Sequence, residues 1–220
     1  PKEIAIGFRA AMPLLEVKLS VQGTQEQTIL AEWQSKLSLL MGDHVLGLGK
    51  NNNTTIAEYV VPLLAQTKQK ITVAESCTGG LIASQITAIP GSSAVFEAGF
   101  VTYSNSMKTK LLNVPSQTLV NYGAVSKQTV LAMAEGALEK SSADFVIAVS
   151  GIAGPDGGTA EKPVGSVWIA WGGKHTLQAK YYCIPVARKY FQQLVAARSL
   201  DLIRRLLINS EESPNYNRVK

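Results

Sequence analysis

Histidine and cysteine are both scarce, with two of each in 220 residues. A Cys/His zinc site of ordinary spacing is therefore excluded. The two thiols, Cys77 and Cys183, make no disulfide framework and are expected to be reduced, as in a cytosolic protein. No apolar run approaches the length that crosses a bilayer, so no membrane association is expected. Internal repeats, low-complexity tracts and blocks of like charge are also missing. The net charge is +5, but the basic residues are scattered, the densest groups being Arg204-Arg205 and the end of the chain from Arg218 to Lys220. That distribution argues against a nucleic-acid footprint and suits an anionic small substrate. The chain starts at Pro1, which reads as a piece of something longer, so the lack of a signal peptide carries no information.

What remains is the composition of a globular protein, 46% apolar and 17% charged. Residues 1–50 read as a small β-β-α-β unit. Its strands are Ile4–Phe8, Leu15–Leu19 and Val45–Leu48. Its helix is capped by Thr24, with Ile29, Leu30, Trp33, Leu37 and Leu40 on one face. The polar turn Gly49–Asn53 marks a boundary, and residues 51–220 form the second domain. There Thr54 or Thr55 is expected to cap a helix containing Pro62. Strands then alternate with helices: strands at Ile71–Ala74, Ala98–Tyr103 and Phe145–Val149, helices at Leu81–Ala88, Ser106–Leu112 and Ser126–Lys140. A hairpin of Gly165–Trp171 and Thr176–Ile184 precedes a closing helix, Ala187–Ile208. This order predicts a three-layer α/β/α sandwich with a mixed sheet.

Two stretches stand out. Ala74-Glu75-Ser76-Cys77-Thr78-Gly79-Gly80 follows an apolar strand and opens a helix, the place where open α/β sheets gather ligands. A serine there can attack a carbonyl while backbone N–H groups hold the oxyanion. From this stretch alone, a serine N-cap with two turn glycines has the stronger claim. Neither His44 nor His175 is well placed to serve as its base. Lysine can serve if burial lowers its pKa, and Lys108 begins a short helix after Tyr103-Ser104-Asn105. Tyr103 would orient it or relay a proton. The second stretch, Ser150–Thr159, carries four glycines after the most apolar strand. Their density suggests close approach of backbone to a ligand, against the plainer reading of a long connection. It matches neither a P-loop nor a dinucleotide fingerprint. Pattern alone thus reaches a cleft, a candidate serine and a small-molecule substrate.

These blocks resemble the C-terminal domain of the CinA family, the nicotinamide-nucleotide amidases. The likeness runs through Val73–Gly80, Pro90-Gly91-Ser92-Ser93, Gly99–Asn105, Lys108, Gly123-Ala124-Val125-Ser126, Ser150–Gly158 and Glu161–Gly165, in order. Residues 1–50, with Gly7–Pro13, resemble the KH-like middle domain of longer family members, although no Gly-x-x-Gly loop is present to bind RNA. The resemblance implies an amidase that converts nicotinamide mononucleotide to nicotinate mononucleotide and ammonia without cofactor or metal. Ser76 would be its nucleophile, Lys108 its base and Tyr103 the assistant. N–H groups near Thr78 and Gly79 would form the oxyanion hole. Thr78, Gly79, Gly80, Ser150, Gly151 and Gly154 would line the substrate. The family's arginine usually follows Gly-Asp; here the match is Val186-Ala187-Arg188, so Arg188 is the expected substrate-binding cation. A homodimer is also implied. The rival class is a nucleotide-binding or scaffold module without catalysis, which has no need of a nucleophile and base.

Overall fold

In the computed structural model, residues 4–22, 26–47, 55–212, 214 and 216 are described. The chain divides into two compact units, Pro1–Leu48 with Ser210–Lys220, and Gly49–Asn209.

The smaller unit holds a hairpin of β1 (Ile4–Ala11) and β2 (Leu14–Val21) and the helix α1 (Glu26–Met41). The hairpin register sets Ile4, Ile6, Phe8 and Ala10 opposite Val21, Leu19, Val17 and Leu15. Because side chains alternate along a strand, these residues share one face. Arg9 and Glu16 pair across the other. Helix α1 packs on β2. Ile29, Leu30, Trp33 and Leu37 are half-buried as its periodicity predicts, but Leu40 is exposed. The expected Thr24 cap lies outside the described residues. The expected third strand does not form at Val45–Gly47, which follow a 3₁₀ turn as irregular chain; Leu48 is not described. A four-residue run interrupted by glycine offers too short a ladder to add to a hairpin. Instead the Asp43 N–H donates to Glu212 Oε2 at 3.0 Å, and so ties residues after Asn209 to this unit.

The larger unit is the expected sandwich. Its elements are α2 (Ala57–Thr67), β3 (Ile71–Glu75), α3 (Leu81–Thr87), β4 (Phe96–Val101), α4 (Asn105–Leu112), α5 (Ser116–Tyr122), α6 (Lys127–Ser141), β5 (Phe145–Gly151), β6 (Ser166–Gly173), β7 (Gln178–Cys183) and α7 (Arg188–Leu207). The sheet order is β4-β3-β5-β6-β7. Strands β4, β3 and β5 are parallel, and β6 and β7 are antiparallel additions. One face packs on α6, whose Val130, Met133, Ala134 and Ala137 form a core with Ala74, Val146, Ala148 and Ala170. On the other face α7 lies against β5 and β6 and packs with α2 and α3, and α3 lies against β3 and β4. The apolar strand β5 is buried because helices cover both faces.

Ser126 caps α6 as expected, accepting from the Thr129 N–H. Thr55 does not cap α2, and the alternative, Thr54, lies outside the described residues. The Thr55 hydroxyl is buried without a partner, and its own N–H donates to the Glu58 carboxylate, the N3 half of a capping box without the other half. The helix continues through Pro62, which falls past its first turn. The helix α5 was not expected. It follows Pro115 in a segment whose turn-forming residues mask a weak apolar period.

Candidate active site

Strands β3, β4 and β5 run parallel, so their carboxyl ends open at one edge of the sheet. Ser76 is the first residue beyond β3, and its N–H still donates to the Val149 carbonyl of β5 at 3.1 Å. The β4–α4 connection begins with Thr102, whose N–H donates to the Glu75 carbonyl at 2.8 Å. Ser104 then caps α4 by accepting from the Met107 N–H. That cap sets Lys108 in the first turn of the helix, and its side chain runs back to the end of β3.

The result is a buried Ser–Lys pair. Lys108 is only 1% exposed. Its Nζ lies 3.0 Å from Ser76 Oγ, 2.8 Å from the Thr102 carbonyl and 3.4 Å from the Tyr103 carbonyl. Burial pushes the Lys108 pKa below the ordinary lysine range, against a smaller opposing pull from Cys77. No carboxylate touches Nζ among the described residues, so desolvation meets no full countercharge. A neutral amine has two N–H donors and one lone pair, and the surroundings supply two carbonyl acceptors and one hydroxyl. Cys77 is adjacent but different. Burial, reinforced by Glu75, pushes its thiol up to about 12 despite Lys108 and Arg188. It is therefore a protonated thiol at neutral pH, and a weak nucleophile beside Ser76.

Glu75, to which the sequence reading gave no role, anchors the turn. It is wholly buried, and its carboxylate accepts from the N–H groups of Gly80, Ile82 and Ala83 at 3.0, 3.1 and 2.8 Å. The start of α3 is thus closed by the chain's own anion, and the strand residue before Ser76 is bolted to the helix after it. Within the turn, the Gly79 N–H donates to the Ser76 carbonyl at 3.2 Å. The expectation of an oxyanion donor at Gly79 therefore meets a group already engaged, whereas the Thr78 N–H has no acceptor among the described residues. Gly79 and Gly80 take φ of +65° and +98°, the left-handed conformation that this turn needs. The Thr78 hydroxyl is buried without a partner.

The tyrosine and the arginine come together. Tyr103 is 60% exposed, and its hydroxyl accepts from Arg188 NH2 at 2.8 Å, while Arg188 NH1 donates to the Gly154 carbonyl at 2.9 Å. The Tyr103 phenol therefore meets the arginine rather than the lysine, and only its carbonyl approaches Nζ. Arg188 opens α7, and its altered lead-in still delivers the guanidinium to the site. One turn on, Gln192 Nε2 donates to the Cys77 carbonyl at 2.9 Å. Sequence offers no signal for a contact across 115 residues.

The glycine-rich loop packs against the protein's own chain. Ser150 and Gly151 lie inside β5, paired with Trp168 and Val167. The Ser150 hydroxyl is buried and donates to the Ala124 carbonyl at 2.7 Å. A side chain at Gly151 would sit 2.7 Å from the Ser166 carbonyl, and one at Gly154 would meet Val164 at 2.5 Å. The close approach that demands glycine is to the protein's own backbone and to Val164. Of this loop, Gly154 reaches the cluster, through Arg188. His175 is excluded from it by topology. It lies in the turn between β6 and β7, and Gly173 pairs with Phe145, at the opposite end of β5 from Ser76.

No cluster of three or more His, Cys, Asp or Glu side chains suited to a metal occurs among the described residues. No helix there is long and apolar enough to cross a membrane.

The family model described as the CinA C-terminal domain matches residues 53–207. A CinA-like protein of Colwellia psychrerythraea is 51% identical over 98% of this chain and 50% of its own length. One from Shewanella denitrificans is 43% identical over the whole chain and 51% of its own length. The chain thus spans about half the length of these relatives. Among solved structures, a competence/damage-inducible protein of Agrobacterium tumefaciens is 41% identical with a TM-score of 0.66, over 71% of this chain and 94% of its own. A CinA superfamily protein of Escherichia coli is 32% identical with a TM-score of 0.65, over 74% and 97%. A shared α/β fold, high identity and a family match across the whole larger unit agree: the chain belongs to the CinA family, and its residues 53–207 are a CinA C-terminal domain.

Proposed function

We propose that the larger unit hydrolyses the carboxamide of nicotinamide mononucleotide, giving nicotinate mononucleotide and ammonia. The observation that carries a nucleophile-and-base chemistry is the 3.0 Å contact between Ser76 Oγ and a buried Lys108 Nζ. The carboxamide and the nucleotide come from the family resemblance. The residues 1–50 correspond on the same ground to a KH-like middle domain.

In this reading Ser76 Oγ attacks the carboxamide carbon, and the neutral Lys108 amine takes the hydroxyl proton. The carbonyl π pair moves to oxygen, where the Thr78 N–H stabilises it. Collapse of the tetrahedral species breaks the C–N bond, and the Lys108 ammonium returns its proton to the departing nitrogen, releasing ammonia. Water then attacks the Ser76 ester with Lys108 again taking a proton. Breakage of the ester bond frees nicotinate mononucleotide and restores the serine. The Arg188 fork, beside Tyr103, offers charged donors to the anionic substrate.

A binding-only module gains nothing from a buried lysine set against a serine, so catalysis is the better reading. The test is ammonia release by the purified chain with nicotinamide mononucleotide, and with nicotinamide as the comparison. Release from the nucleotide alone supports the proposal. Tight nucleotide binding with no ammonia would favour the binding module, and equal turnover of nicotinamide would overturn the substrate class.

A further inference from the structure

The turn after Ser76 contains several backbone N–H groups, and the chain itself uses most of them. Ser76 donates to the Val149 carbonyl, Gly79 to the Ser76 carbonyl and Gly80 to the Glu75 carboxylate. The Cys77 N–H has no backbone acceptor among the described residues. The Thr78 N–H has no acceptor among the described residues, two positions from the nucleophile. It belongs to the same peptide unit as the Cys77 carbonyl. That peptide is trans, so its C=O and N–H point in opposite directions.

We propose that Gln192 is a positioning residue for the oxyanion donor: by holding the Cys77 carbonyl from α7, it aims the Thr78 N–H in the opposite direction within that peptide plane. The proposal rests on Ser76 acting as the nucleophile. The 2.9 Å bond from Gln192 Nε2 fixes the carbonyl end of the unit. The bonds made by the Ser76, Gly79 and Gly80 N–H groups leave this peptide unit untouched, so among the described residues the Gln192 bond is what opposes its rotation about Cys77 ψ and Thr78 φ. The bond also polarises the unit. A donor on the C=O draws electron density toward oxygen and makes the N–H a stronger donor. Arg188 stands four residues before Gln192, on the same face of α7. One helix face therefore holds both the Tyr103–Gly154 contacts and the nucleophile turn. Substrate contact at Arg188 and the aim of the oxyanion donor share one rigid support.

The consequence is specific to the transition state. The oxygen gains charge only as Ser76 attacks, so a misaimed donor weakens kcat and spares KM. Complete loss of one oxyanion donor costs about 10²–10³-fold in kcat. A donor left in place but free to turn should cost less, about 10–100-fold.

The test compares wild type, Gln192→Leu and Gln192→Glu in the whole chain, with thermal melting to check folding. Leucine removes the donor at similar volume, and glutamate replaces it with an acceptor. Two readouts are independent. The first is kcat and KM for nicotinamide mononucleotide. The second is the rate of labelling by a fluorophosphonate ester, which does not depend on the natural substrate. There Ser76 Oγ bonds to phosphorus, the P–F bond breaks, fluoride leaves, Lys108 takes the proton, and the phosphoryl oxygen occupies the oxyanion position. Both variants should lower kcat and the labelling rate by about 10–100-fold with KM unchanged, and the Thr78 amide proton should move upfield in the NMR spectrum. Wild-type labelling rates in both folded variants, or a change confined to KM, would overturn the role of Gln192. Labelling that survives Ser76→Ala would instead remove the nucleophile, and this inference with it. Serine-specific labelling without turnover of the nucleotide would count against the proposed substrate alone and leave the labelling comparison decisive for Gln192.

Discussion

Lys108 is where the proposed chemistry is most exposed to refutation. An ordinary lysine, with pKa about 10.5, is neutral in about one molecule per thousand at pH 7.5, a handicap of about 4 kcal/mol for a base. Each unit by which burial lowers the pKa removes a factor of ten. With Nζ nearly sealed from water and held only by neutral oxygens, the shift is downward. The kcat/KM for ammonia release should therefore rise with pH through one ionisation below 10.5. Lys108→Met removes the base, and Lys108→Arg keeps a charge that does not deprotonate. Both should lose about 10³-fold or more. The exposed Lys110→Met is the control and should stay within about twofold. The same shift has a sign in stability. In the window between the lowered folded value and 10.5 the unfolded chain binds the extra proton, so stability rises with pH there. Below the window the cost of the buried cation is complete. Urea titrations across that range should show the rise in wild type and a flatter profile in Lys108→Met. A Lys108→Arg enzyme that keeps more than a tenth of wild-type kcat/KM, or a rate indifferent to pH, would refute the reasoning and leave the lysine as a fixed charge.

Three further outcomes follow from the site. Ser76→Ala should lose about 10⁴-fold or more in kcat, whereas Cys77→Ala should stay within tenfold, since a thiol pushed up to about 12 holds its proton; loss of activity in a folded Cys77→Ala alone would exchange their roles. Glu75→Gln cannot accept all three N–H bonds, because its amide sets donors against donors. Urea unfolding should register a loss of about 2–4 kcal/mol, and a change below about 1 kcal/mol would show that the carboxylate does not anchor the turn. Arg188→Ala should cut kcat/KM by about 10–100-fold at unchanged melting temperature. Combined with Tyr103→Phe it should show non-additivity from their 2.8 Å bond; strict additivity would mean the two act apart.

The sandwich was legible because its strands and helices carry different apolar periods, and because β5 reads as a run buried on both faces. Local chemistry also identified the Ser126 cap and the hairpin of β6 and β7. Ser76 and Lys108 were nameable because each follows a strand that ends at the same edge of a parallel sheet, although the residues alone favoured the plainer reading of both. Where local signals were weak, the structure differs: α5 stands behind Pro115, and the described part of the expected strand Val45–Leu48 is irregular. The glycines of 151–158 show why a pattern is not a contact. Their density suggested a ligand, and at Gly151, Gly154 and Gly158 it is Ser166, Val167 and Val164 that occupy the space a side chain would need.

The sequence by itself determined most elements of the larger unit, their order, and a serine and a lysine at strand ends, because periodicity, caps and turn residues act within a few positions of the chain. Only the tertiary structure decided that Lys108 is buried and therefore inclined to neutrality, that Glu75 closes α3, that Tyr103 meets Arg188, and that Gln192 holds the Cys77 peptide. Each of those is a matter of desolvation or of direction across the fold, and neither is set until the sheet brings distant segments to one edge.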